Sequence, residues 1–138
     1  MEFISQYLQL RHAHAHPDIL DPNTHAALSN LKRAEVLDAA TADGLIQALE
    51  LWQALQGLLR LTVSIPERGE GGYAMPESLK RQVSRLADAP SADAAEEKIR
   101  ATAAWVMEQF ERLIVTPANA ARAHVENSDL NRAKGGRA

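Results

Sequence analysis

Apolar residues recur every three to four positions along almost the whole chain, and no segment alternates in the way a half-buried strand requires. Phe3, Ile4, Tyr7, Leu8 and Arg11 share one face of a first helix. Pro17 closes that helix near Ala15 or His16, because the residue ahead of a proline is pushed out of the helical region. No Ser, Thr, Asp or Asn stands ahead of it to satisfy the orphan backbone N–H groups of its first turn. A helix that starts this way is expected of a domain cut from something longer.

Pro22-Asn23-Thr24 is a turn whose Asn or Thr side chain caps a second helix, with Ala27, Leu28 and Leu31 inward. Thr41 is the expected cap of a third helix running to about Ser64. Its stripe of Leu45, Leu49, Trp52, Leu55, Leu59 and Thr62 is widened by Ile46, Leu51, Leu58 and Leu61. A helix apolar over so much of its circumference is expected to be central and packed on more than one side.

Residues 66–75 hold three glycines and a proline and read as a flexible loop dividing two helical groups. Pro76 suits the first turn of a fourth helix with Leu79, Val83 and Leu86 on its apolar face. Ser91 caps a fifth, carrying Ala95, Ile99, Thr102, Val106, Phe110 and Leu113 inward until Pro117 ends it. The pattern therefore predicts an all-α, up-and-down bundle of about five helices over residues 1–116, followed by a disordered tail over 117–138.

Composition narrows the possible functions. Aromatic residues make up only 4% of the 138, so the core must be aliphatic. The absence of cysteine excludes disulfides and thiolate metal sites, and fits a reducing cytoplasm. No apolar run approaches the ~20 residues of a membrane span, and Met1-Glu2 lacks the basic start of a secretory signal. A net charge of −3 argues against a broad nucleic-acid surface, which needs clustered Lys and Arg.

Several local features invite chemical readings. His12 and His16 are four apart and could share a metal ion from one helix face, but two ligands do not make a site. The plainer reading is of histidines near a helix C-terminus, where the dipole favours protonated imidazole. Gly69-Glu70-Gly71-Gly72 only superficially resembles a phosphate cradle, since it follows no strand, lacks a Lys-Ser/Thr ending and carries an acid. Trp52 and Trp105 lie on apolar stripes and read as core residues. No nucleophile with a base and no paired acids are evident.

Glu2-Phe3, Gln6-Tyr7-Leu8-Gln9-Leu10, Arg11-His12-Ala13, Pro17, Ile19-Leu20 and Pro22-Asn23-Thr24 carry a family resemblance. They resemble the start of the C-terminal helical domain of bacterial bifunctional glutamine synthetase adenylyltransferases. Looser similarity continues through residues 51–61 and ends near Phe110-Glu111-Arg112-Leu113. The resemblance implies a parent enzyme that uses ATP and magnesium to place AMP on a tyrosine of glutamine synthetase, and removes it, under control of glutamine and a PII signalling protein.

In that family, transfer depends on an upstream nucleotidyltransferase domain with a Gly-Ser pair and Asp-x-Asp carboxylates. Neither motif occurs in this sequence, and the Gly-Gly and Asp that usually precede the Glu-Phe are also missing. The resemblance therefore implies a chain that begins just downstream of the catalytic half, holds no cofactor of its own and is inactive alone. It also makes Glu2, Gln6 and Arg11 candidates for the cleft between the domains, Glu2 for a contact with substrate or with a residue that touches it, and Arg11 for an interdomain ion pair. The alternatives are an ordinary exposed first turn and, for the whole chain, a freestanding helical interaction module.

Overall fold

A computed structural model describes the backbone of residues 1–62 and 76–135, and the side chains of residues 1–61 and 76–125. The expected loop at 66–75, with its Gly69–Gly72 segment, lies outside the described residues. The described residues are helical throughout, with no strand: α1 (Glu2–His12), a 3-10 turn (Pro17–Ile19), α2 (Thr24–Arg33), α3 (Ala39–Thr62), α4 (Glu77–Leu86), α5 (Ala92–Phe110) and α6 (Thr116–Gly135). A π-helical turn, Glu111–Val115, joins α5 to α6 without a break, so these elements make five helical rods.

Consecutive elements pack on one another, and α1 closes the arrangement against the π turn. The core lies where these ends meet. Ile4 and Leu8 of α1, Ile19 of the 3-10 turn, Leu28 and Leu31 of α2, Ala42 and Leu45 of α3, and Ile114 of the π turn form one buried cluster with Leu37.

Local chemistry explains most helix ends. Asn23 and Ser91 cap α2 and α5 through side-chain oxygens that accept the N–H of Ala26 and Ala94. Both α2 and α4 end with a left-handed residue, Glu35 and Asp88, rather than a glycine. Around each, the next N–H bonds five residues back and the left-handed residue's own N–H bonds three back, satisfying the last carbonyls.

Four expectations are corrected. Helix α1 stops at His12, short of Ala15, because the chain must turn to put Ile19 into the core. Asp38 caps α3, its carboxylate accepting the Thr41 N–H, while Thr41 is buried one turn inside the helix. Helix α3 is packed on several sides only in its first half. Among its described side chains the buried ones end at Ala48, whereas Leu59 and Leu61 are 48% and 88% exposed.

The fourth correction concerns Pro117, which does not end the fifth helix. The Thr116 N–H reaches back five residues to the Glu111 carbonyl. A π turn of this kind widens the helix just ahead of a ring that would otherwise clash with the preceding turn. The backbone expected to be a disordered tail then continues helically to Gly135.

Candidate functional site

Helix α1 divides sharply into a buried and an exposed side. Ile4, Ser5, Leu8 and Gln9 face the core. Two of these are polar, and both are satisfied: the Ser5 hydroxyl donates to the Glu2 carbonyl at 2.8 Å, and Gln9 Oε1 accepts the Asp21 N–H at 2.7 Å. The second bond ties α1 to the segment leading into α2, a structural role that the sequence reading did not give Gln9.

The outward side carries Glu2, Phe3, Gln6 and Leu10. Glu2 and Gln6 are brought together, Gln6 Nε2 donating to Glu2 Oε1 at 3.3 Å. Arg11 is exposed on an adjoining flank and donates to the Tyr7 hydroxyl at 3.4 Å. Among the described residues no carboxylate pairs with Arg11. The three polar candidates thus border one surface without forming a single cluster.

Apolar side chains on this surface are the feature that sequence reasoning missed. Phe3 and Leu10 are seven positions apart, which on a helix places them on one line, and they are 61% and 82% exposed. Phe3 rests against half-buried Phe110, ring centroids 6.0 Å apart and planes tilted by 48°. One turn before Phe110 on α5, Met107 is 63% exposed. The available signal was that α1 carries apolar residues around more of its circumference than a single contact face can cover.

His12 and His16 do not share a helix face, since His16 lies beyond the end of α1 in a non-helical conformation. Burial, then the Arg11 guanidinium and His16, hold His12 below the ordinary imidazole range. That favours the neutral ring, against the expectation that the helix end would favour its protonation. No group of three or more His, Asp or Glu suited to a metal occurs among the described residues.

Trp105 lies directly on the backbone of α3. A Cβ at Gly44 would fall 2.5 Å from its Cη2. The ring forms part of the floor of an open cleft of about 620 Å³, with Glu50, Asp88 and Lys98 around it. Trp105 also packs against the buried core cluster, as a structural residue would.

No family model matches the chain, and no solved structure does. Similarity is found to long bacterial enzymes. The chain is 41% identical over 114 residues to the bifunctional glutamine synthetase adenylyltransferase/adenylyl-removing enzyme of Rhodopseudomonas palustris strain TIE-1, covering 83% of this chain and 11% of the relative. It is 38% identical over 122 residues to the protein of that name from Bradyrhizobium diazoefficiens strain USDA 110, covering 87% and 12%. With that of Xanthobacter autotrophicus strain Py2 the values are 34% over 121 residues, 86% and 12%. The chain is thus a homologue of one small segment of the bifunctional glutamine synthetase adenylyltransferases, spanning about 11% of their length.

Proposed function

We propose that this chain is the C-terminal, non-catalytic helical domain of a glutamine synthetase adenylyltransferase. In this reading it supports ATP-dependent transfer of AMP to a glutamine synthetase tyrosine, and the regulation of that transfer, from beside an upstream nucleotidyltransferase domain. The observation that carries the reading is the match over 83% of this chain to enzymes of that name. The sequence has no Gly-Ser pair and no Asp-x-Asp, so the carboxylates that grip magnesium and ATP belong to the rest of the enzyme. Glutamine synthetase and a PII protein are the partners of the assembled enzyme, and the cytoplasm is its compartment. No helix among the described residues is long and apolar enough to cross a membrane.

The test is AMP transfer from radiolabelled ATP to glutamine synthetase. The isolated chain should transfer none. A Rhodopseudomonas enzyme in which this chain replaces the segment it matches should be active, whereas the same enzyme lacking the segment should lose most activity. Transfer by the isolated chain, or full activity without the segment, overturns the reading.

A second reading, a freestanding interaction module, is favoured by exposed Phe3, Leu10 and Met107. It requires that the isolated chain self-associate or capture a partner helix, which sedimentation would detect.

A further inference from the structure

We propose that the open cleft between α3, α5 and the end of α4 binds a small zwitterion with an apolar, planar body. Its ammonium and carboxylate would meet Asp88 and Lys98, and its body would lie on Trp105. This goes beyond the domain reading above and does not depend on it.

The space itself is the first observation. The cleft holds about 620 Å³, within the roughly 300–1,000 Å³ of small-molecule sites. Small residues face one another across it: Gly44, Ala48 and Ala54 on α3, Ala101 on α5, and Ala87 at the end of α4. Trp105 is held between the buried core cluster and the backbone of α3 at Gly44. A ring fixed on two sides offers an apolar floor that a ligand need not order.

The second observation is charge. Asp88 and Lys98 line this one cleft with opposite signs. Among the described residues neither side chain makes an ion pair or a hydrogen bond, and they do not pair with each other. Glu50, the third charged group of the lining, stands 3.5 Å from His25 instead. A molecule with one charge of each sign gives both groups a partner, whereas an ion of single sign meets one attractive and one repulsive group. Lys98 and Trp105 are seven positions apart on α5, about 10 Å along its axis. A charged head at one end and a ring at the other therefore need only a few bonds between them.

The third observation is where Asp88 stands. Its φ of 48° is one that glycine adopts freely. The bonds that close α4 there run from the backbone N–H groups of Asp88 and Ala89, and glycine would make them equally. The carboxylate adds no hydrogen bond to the fold, and its place is on the cleft wall.

A proton–nitrogen NMR titration of the 138-residue chain with L-phenylalanine tests the site. A dissociation constant on the order of 1 mM is expected for so small a molecule in an open cleft. The indole N–H of Trp105 should shift saturably, while that of Trp52, which does not line the cleft, stays in place. Trp52→Phe assigns the two signals. Phenethylamine and 3-phenylpropionate keep the ring and one charge each, and should bind about tenfold more weakly. L-Glutamine, with the same head on a polar body, should also be the weaker ligand.

Asp88→Asn keeps a residue that tolerates the left-handed backbone. It should weaken phenylalanine about tenfold without weakening phenylpropionate, and Lys98→Gln should do the same without weakening phenethylamine. The spectra show directly whether each variant is folded, and the ligand series on the unaltered chain stands without them. Absence of a saturable Trp105 shift overturns the site. Single-charge ligands that bind as tightly as phenylalanine overturn the zwitterion, and glutamine binding as tightly overturns the apolar body.

Discussion

Arg112 donates from Nη2 to the hydroxyl of Thr41 at 2.9 Å across 71 residues of sequence, joining the π turn to the first turn of α3. The same guanidinium donates to Gln109 Oε1 from Nε and Nη2, at 3.0 and 2.8 Å, and stands 3.7 Å from Asp38 Oδ2. Thr41 and Gln109 are buried while Arg112 is half in solvent, so the arginine satisfies polar atoms that water reaches poorly. Arg112→Ala should cost about 1–2 kcal/mol in urea unfolding, chiefly through the hydrogen bonds. Arg112→Lys should recover only part of this, because a single ammonium lacks the planar fork needed to serve both partners.

Gly44 and Trp105 make a second long-range contact. A methyl at position 44 would lie 2.5 and 2.9 Å from ring carbons of Trp105. Alanine gains about 1 kcal/mol over glycine in a helix interior, whereas forcing a large ring aside in a packed site costs about 1–3 kcal/mol. Gly44→Ala should therefore be neutral to destabilising by as much as about 2 kcal/mol, with altered tryptophan emission. In Gly44→Ala/Trp105→Leu the obstruction is gone, and adding the alanine should then stabilise. A double-mutant cycle in thermal unfolding, showing coupling of the opposite sign or none, would reject this account.

Glu35 holds the left-handed position after α2 at φ 56°. A side chain there is strained, whereas glycine adopts this conformation freely. Glu35→Gly should raise stability by about 0.5–1 kcal/mol despite the added freedom of the unfolded chain. Differential scanning calorimetry would show a higher midpoint. A lower midpoint would mean that the glutamate side chain makes a compensating contribution.

These cases also mark what could be read from residues alone. Ser91 was legible as a cap because the bond spans three residues, and Asn23 was one of the two caps that the Pro22-Asn23-Thr24 turn offered. Asp38 and Thr41 both had capping chemistry; Asp38 takes the cap, while the Thr41 hydroxyl accepts from Arg112, a partner too far along the chain to read from local sequence. The end of α2 carried no glycine, so its cap left no compositional mark. At the candidate site, the Glu2–Gln6 pairing follows from helical spacing. The exposed Phe3 and Leu10 do not, because which side of α1 is covered depends on where the π turn beyond Phe110 packs.

The side chains with shifted titration should make stability fall in two steps on acidification. His12 is held below its ordinary value of 6.5, mainly by burial and then by Arg11 and His16. Asp38 is held below 3.8 by its hydrogen bonds with Thr41 and, more weakly, by Arg112, and Glu77 below 4.5 by Lys80. Each group binds fewer protons folded than unfolded between its lowered value and its ordinary one. The stability it contributes is therefore complete above the ordinary value and lost as pH falls through the lowered one. The first, shallow decline should begin below pH 6.5 and be absent in His12→Gln. The second should begin below about pH 4.5 for Glu77 and 3.8 for Asp38, and be reduced in Asp38→Asn, which keeps a capping oxygen without the charge. Midpoints measured from pH 8 to pH 3 test both steps. The wild-type midpoint should fall relative to that of His12→Gln as the pH drops below 6.5, and parallel curves would show that His12 titrates alike in the folded and unfolded chains.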